Sequence, residues 1–454
     1  MEPRSDALAF FGASGDLAFK SIFPALQGLA GTGQLDMPVV GISRSAWTRD
    51  DLIARARASV EAAGVYEPEA FRRLAAQLRY ASGEYKDPAT YRRIREAMGQ
   101  AAHPLHYLAI PPSGFEDVVH GLAESGSAKG ARVILEKPFG RDLESARALD
   151  RTLHGHFRER AIFRIDHFLG KEPVQNIMYF RFANSFLEPV WNRDHIARIE
   201  ITMAESFGIR ARGKLYDELG AIRDVVQNHL LQIAALLLME PPAGREPESM
   251  RDAAGQAFRA MRPVEPAETV RGQYEGYRSV DGVPEDSEVE TFAAMRLHVD
   301  SWRWAGVPIY IRTGKCLPTT VTEVLVVFKR PPHAVFEDVA QSPANHVRFR
   351  LSPDVVIELA ARAKYPGEAN VGESVLLNAC RTTMNITPPY QRLLADAMKG
   401  DQTLFARTDA VEHSWRVLDP VLAAHVPVHI YKPGTWGPTE ADRLLPGGHL
   451  YNPD

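Results

Sequence analysis

The stretch Ala7-Leu8-Ala9-Phe10-Phe11-Gly12-Ala13-Ser14-Gly15-Asp16-Leu17 decides how the first half of the chain folds. Five apolar residues stop at a glycine, as a strand buried on both faces does. Gly12 and Gly15 let the backbone turn tightly, and a helical pattern follows near Ile22 to Leu29. Such a turn aims backbone N–H groups and a helix N-terminus at a phosphate. The spacing is Gly-x-x-Gly, without the third glycine of the usual dinucleotide fingerprint, and it also fits a plain strand-to-helix turn.

Working outward, the same rhythm repeats. Val39-Val40-Gly41-Ile42, His106-Tyr107-Leu108-Ala109-Ile110 and Arg132-Val133-Ile134-Leu135 are further apolar runs, each ended by polar, glycine or proline residues. Strand and helix in alternation predict a doubly wound parallel sheet. Arg44 stands just past the second strand, where an NAD-binding domain usually carries an acid for the ribose 2′-hydroxyl. Its planar fork of donors suits a 2′-phosphate, so NADP is the expected cofactor, with use of NAD left open. A solvated surface arginine is the alternative.

The second half alternates apolar and polar residues instead. Val347-Arg348-Phe349-Arg350-Leu351, Glu323–Lys329 and Val307–Arg312 read as strands of an antiparallel sheet with one face wet or helix-covered. A long helix is expected from about Asp217 to Met239. The resulting division is an α/β Rossmann-like dinucleotide-binding domain over 1–175, then an α+β domain with a large antiparallel sheet over 176–454.

Composition narrows the function. With 454 residues, 45% hydrophobic and 24% charged, the chain can bury two or three cores. A net charge of −4 gives no basic excess, which argues against a nucleic-acid partner. Cys316 and Cys380 are too few for a disulfide framework or a zinc site and read as buried apolar filler; no metal is expected. The start lacks the order of a signal peptide, and the apolar run Ile233–Met239 is too short to cross a bilayer. A cytoplasmic protein acting on small molecules, with no membrane partner, is expected.

Several peptides are more specific. Arg164-Ile165-Asp166-His167-Phe168-Leu169-Gly170-Lys171-Glu172 resembles the signature of glucose-6-phosphate dehydrogenases. So do Glu136-Lys137-Pro138-Phe139-Gly140, Ile222–Gln232, Ser301–Pro308, Arg312-Thr313-Gly314-Lys315 and Tyr431–Pro438, in order over nearly the whole chain. The resemblance implies oxidation of glucose 6-phosphate to 6-phosphogluconolactone with hydride passing to NADP, the entry step of the pentose phosphate route. It also implies a homodimer or homotetramer.

By the same resemblance His229 is the base and Asp166 its carboxylate partner. A histidine titrates near neutral pH, and a base of this kind needs a group that fixes its tautomer. Helical periodicity alone puts His229 on the stripe of Ile222, Val225, Val226 and Ile233, as a core residue. His167 and Lys171 are implied for the phosphate, Lys137 and Lys315 near the sugar, and Glu205 and Asp224 for its hydroxyls. Gly12, Ser14, Gly15, Asp16, Leu17, Arg44, Lys137 and Pro138 are implied for the cofactor.

Four positions depart from the commoner pattern. Ser21 stands for a lysine, Phe168 for a tyrosine, Thr320 near a usual arginine or lysine, and Ser352 for a glutamine. Each lost hydrogen bond to a charged group costs ~1.5–3 kcal/mol, so phosphate binding is expected to be weaker. Two rival readings remain: a dehydrogenase of a related sugar or sugar phosphate, and a non-catalytic nucleotide-binding paralogue.

Overall fold

The computed structural model describes residues 3–209, 212–340, 342–367, 370–381, 387–446 and 448–453. Two compact units interleave along the chain. One holds Met1–Lys171, Pro242–Asp252 and Thr387–Glu412; the other holds Glu172–Pro241, Ala253–Ile386 and His413–Asp454. The two returns of chain into the first unit follow from packing that the linear pattern does not mark.

The first unit is built on seven strands: β1 (Ala7–Phe11), β2 (Val39–Ser43), β3 (Leu78–Ser82), β4 (Pro104–Leu108), β5 (Arg132–Leu135), β6 (Ile162–Ile165) and the two-residue β15 (Phe405–Ala406). Their order is β15-β6-β5-β4-β1-β2-β3, all parallel except β15. That is the doubly wound order expected of alternating strands and helices. Every residue of β1, β2, β4 and β5 is buried, so these strands are mostly apolar and do not alternate, with Ser43, His106 and Arg132 the buried polar exceptions. The core is closed by the helices Phe23–Gly31 and Pro389–Lys399, which contribute Leu26, Leu29, Leu393 and Leu394. Phe10 meets Phe23 edge-on at 5.6 Å, and Phe163 meets Phe405 at 4.9 Å. Burying each such side chain stabilises the fold by roughly 1.5–3 kcal/mol relative to exposure.

The second unit carries nine strands: β7 (Ile196–Ala204), β8 (Thr269–Tyr274), β9 (Phe292–Leu297), β10 (Ile309–Gly314), β11 (Val321–Phe328), β12 (His346–Ser352), β13 (Val355–Lys364), β14 (Gly372–Arg381) and β16 (Val428–Tyr431). Their order is β14-β13-β12-β11-β7-β10-β9-β8-β16. The sheet is mostly antiparallel, with two parallel joints, β7 to β10 and β8 to β16. On β12 the alternation holds: Val347, Phe349 and Leu351 are buried, and Phe349 packs edge-on against Phe180 at 5.6 Å. The arginines of the other face are paired across strands. Arg348 meets Glu358 at 2.7 Å and Arg350 meets Glu323 at 2.8 Å, leaving both buried carboxylates with partners.

The single helix expected over Asp217–Met239 is three segments. An α-helix spans Gly213–Ala221, a π-helix Ile222–Leu230, and a second α-helix Leu231–Leu238. Gly220 interrupts the ladder at φ +69°, and a Cβ there would lie 2.4 Å from Glu290 Oε1. Glu290 then takes over the helix start, accepting from the Ile222 N–H at 3.0 Å, while its carbonyl accepts from Ala221 N–H at 2.9 Å. Among the described residues no helix is long and apolar enough to cross a membrane.

Candidate active site

The glycine turn after β1 has the form the sequence predicts. Gly12 sits at φ +86°, and a Cβ on it would come within 2.1 Å of the Ala109 carbonyl oxygen beyond β4. Only glycine fits this approach. The Gly12 and Ala13 N–H groups bond to the Ile42 carbonyl at 2.8 and 3.0 Å, which locks the turn to the end of β2. Ser14 and Gly15 are half-buried, and Asp16 and Leu17 open the helix, with Lys20 pairing Asp16 at 3.0 Å on the exposed side. Arg44 follows β2 at this same strand end. It is exposed, and among the described residues its side chain makes no hydrogen bond or ion pair. A cradle that excludes a side chain, beside a cation with no structural task, fits a dinucleotide carrying a further phosphate.

Lys137, Pro138, Asp166, His167 and Lys171 leave the ends of β5 and β6, on the same edge of the sheet. The Lys137–Pro138 bond is cis. Asp166 is buried, and its Oδ1 accepts from the Phe168 N–H at 3.0 Å, fixing the carboxylate in a tight turn. His167 and Lys171 lie in this turn rather than on a regular helix. The Lys171 ammonium stands 3.7 Å over the Phe168 ring, so the residue that replaces tyrosine still holds the cation by its face. Burial pushes the Lys171 amine below its ordinary value, while Asp166 acts in the opposite sense.

In the second unit β7 and β10 run parallel, with Ala204 opposite Gly314. The next residue of each strand, Glu205 and Lys315, therefore leaves the sheet beside the other. The Glu205 N–H bonds to the Gly314 carbonyl at 3.0 Å, and the Lys315 ammonium donates to the Glu205 carboxylate. Lys315 is 7% exposed and lies within 5.5 Å of the Phe207 ring and 5.7 Å of the Tyr216 ring. Asp224 and His229 both sit on the π-helix. At ~3.6 residues per turn their five-residue spacing would cover about 1.4 turns and split them between faces. Bonding of the i→i+5 kind winds this segment more widely and so brings the two closer to one face. His229 is buried, and its backbone N–H donates to Asn228 Oδ1 at 2.7 Å.

Two family models cover the chain in series. "Glucose-6-phosphate dehydrogenase, NAD binding domain" matches residues 9–176, and "Glucose-6-phosphate dehydrogenase, C-terminal domain" matches 178–450. The chain belongs to the glucose-6-phosphate dehydrogenase family. It is 42% identical over 447 residues to glucose-6-phosphate 1-dehydrogenase 1 of Mycobacterium tuberculosis, a match covering 98% of this chain and 95% of that one. The crystal structure of glucose-6-phosphate 1-dehydrogenase from Mycobacterium avium is 44% identical, with a TM-score of 0.92 and 99% and 98% of the two chains covered. A glucose-6-phosphate dehydrogenase in complex with its substrate glucose 6-phosphate is 34% identical, also at a TM-score of 0.92, with both chains covered in full.

The members of the dehydrogenase motif peptides thus fall into two groups, one per unit. Other polar groups around them were not singled out from the sequence. Glu136, just before Lys137, is buried and accepts a hydrogen bond from Tyr107 of β4. Tyr216 is 6% exposed, and burial, with Asp224 and Glu290 adding, pushes its phenol well above the ordinary range. Glu136 belongs to a quoted motif and could have been found there; nothing in the sequence marks Tyr216. Of the departures, Thr320 Oγ1 accepts from the Ser206 N–H at 3.0 Å and lies 2.8 Å from Ser206 Oγ. Cys316 is half-buried at φ +52° rather than core filler, and the side chain of Cys380 lies outside the described residues.

Proposed function

We propose that the protein oxidises D-glucose 6-phosphate at its anomeric carbon to 6-phospho-D-glucono-1,5-lactone in the cytoplasm, with NADP as the hydride acceptor. The observation that carries this reading is the family match over nearly the whole chain, with the motif residues for both ends of the sugar retained.

His229 takes the proton of the anomeric hydroxyl as the C1–H bond breaks, and Asp166 is the carboxylate that steadies the resulting imidazolium. NADP, when bound, supplies the electrophilic ring that accepts the hydride. Gly12, Ser14, Gly15, Asp16 and Leu17 hold its pyrophosphate end, Arg44 holds the 2′-phosphate, and Lys137 and Pro138 flank it. Lys171 and His167 bind the sugar phosphate, and Lys137, Glu205, Asp224 and Lys315 bind the sugar hydroxyls. Lys315 and Glu205 already pair, so a sugar hydroxyl that enters between them finds a donor and an acceptor in place.

A homodimer or homotetramer is part of the same reading. β14 is a sheet edge whose Leu376 and Leu377 are 50% and 58% exposed on opposite faces, a surface suited to a second copy.

Exchange of Lys171 for alanine tests the substrate. The loss of one charge-assisted contact should lower kcat/KM for glucose 6-phosphate by about 10- to 150-fold, and change turnover of glucose less than about 3-fold. Equal losses on both sugars contradict the assignment.

A further inference from the structure

The first sheet has a second edge, at the strand starts, which the chemistry above does not use. β6, β5 and β4 lie side by side, and residues just ahead of them line a groove of about 580 Å³. Its charged lining has one sign. Lys129 and Arg132 stand around the start of β5, and Arg158 and Arg160 ahead of β6. His103 precedes β4, and His156 completes the set. No carboxylate lines the groove among the described residues, in a chain whose net charge is −4.

The neighbouring acids are engaged elsewhere. Asp6 accepts from the backbone N–H groups of Ala102 and His103 at 2.7 and 2.9 Å. Glu159, between the two arginines, meets Arg164 at 2.9 Å and accepts from Thr408 Oγ1 at 3.0 Å. Arg132 is 5% exposed and anchored, donating to Ser5 Oγ at 2.9 Å and to the Pro3 carbonyl at 2.8 Å. Lys129 and Arg158 are exposed and make no hydrogen bond or ion pair among the described residues. Gathered cations repel one another, and an anion between them reverses that term. Their forks and ammonium suit phosphate oxygens. About 10 Å separates β4 from β6, so cations spread over that width serve an extended chain of phosphates and not one compact ion. The glycine turn, Arg44 and Lys137 leave the opposite strand ends, and β5 alone puts roughly 13 Å between the two edges.

We propose that this groove is a second anion site, which takes a polyphosphate chain, free or carried by a nucleotide, apart from the cofactor and the sugar. Arg132 and Arg160 form its fixed wall, and Lys129 and Arg158 close on the chain from solvent.

The test is calorimetric titration of the full-length protein with inorganic triphosphate, ATP and citrate, in magnesium-free buffer at low salt. The unmutated protein should bind triphosphate saturably. Arg158→Ala should weaken that binding by about 10-fold or more, and Lys129→Ala with Arg158→Ala by about 100-fold or more, the range of one and two lost charge-assisted contacts. Arg44→Ala, at the other edge, should change it less than about 3-fold, and the double variant should keep its KM for NADP within about 2-fold. Tighter binding of ATP than of triphosphate identifies a nucleotide as the ligand; equal or weaker binding identifies the bare chain. Wild-type affinity in the double variant, or no saturable binding with a Kd below about 1 mM, overturns the site. Citrate bound as tightly as triphosphate overturns the polyphosphate assignment. If the double variant does not fold, Arg158→Ala alone decides. Binding is read without glucose 6-phosphate, so failure here leaves the function proposed above standing, and failure to oxidise the sugar phosphate leaves this site standing.

Discussion

Replacing Arg44 with alanine separates the two nicotinamide cofactors. The side chain is exposed at the end of β2 and makes no hydrogen bond or ion pair among the described residues. Its removal should therefore change stability by less than about 0.5 kcal/mol, and the melting temperature should hold. Against a 2′-phosphate the same guanidinium can make two charge-assisted bonds, each sensitive to the planar fork that alanine lacks. Loss of a hydrogen bond to a charged group costs ~1.5–3 kcal/mol, or about a 10- to 150-fold rise in KM for NADP. KM for NAD, which lacks that phosphate, should move less than about 2-fold. The assay is initial-rate formation of the reduced nicotinamide at saturating glucose 6-phosphate, with each cofactor varied in turn. Equal shifts for both cofactors would refute the role, as would an unmutated protein that prefers NAD.

Two further outcomes can be checked independently. Exchange of His229 for asparagine should reduce kcat by at least about 100-fold, the range of general-base catalysis, with glucose 6-phosphate binding by calorimetry nearly unchanged; turnover within a few-fold of the unmutated rate would exclude it as the base. Burial pushes the imidazole of His106, on β4, down to about 4. The unfolded chain takes up that proton near 6.5, so stability is whole above about pH 6.5 and falls as the pH drops towards 4, by up to ~3 kcal/mol. His106→Gln should flatten this part of the acid-unfolding curve, and an identical pH dependence in both proteins would contradict the assignment.

The first unit was largely legible because parallel strands announce themselves as unbroken apolar runs. β1 and β5 fall where Ala7–Phe11 and Arg132–Leu135 predict them, and Gly12 marks the turn for the steric reason that any Cβ meets the Ala109 carbonyl. β4 begins two residues earlier than its apolar core suggests, at Pro104, and the fold ends it at Leu108. Returning chain was not legible. The helix Pro389–Lys399 joins the first unit through contacts such as Leu393 and Leu394, and only tertiary packing selects that partner.

In the second unit alternation located β11 and β12, but not that β7 and β10 pair in parallel. That joint puts Glu205 beside Lys315. Residues more than a hundred positions apart become neighbours through register, which no local pattern encodes. Around His229 the sequence misled in a specific way. Apolar residues at helical spacing concealed a change of winding, set by Gly220 and the Glu290 carboxylate, which alters the residues that share a face with His229. The motif resemblance named His229 and Asp224, and only the backbone shows that a wider winding lies between them.

The most direct measurement is reduced-nicotinamide formation by the purified protein from a panel of glucose 6-phosphate, glucose and related sugars and sugar phosphates, each with NADP and with NAD. The proposed function requires the highest kcat/KM for glucose 6-phosphate with NADP, and clearly lower values for glucose. Reduction of neither cofactor with any sugar, or glucose used as well as its 6-phosphate, would contradict it.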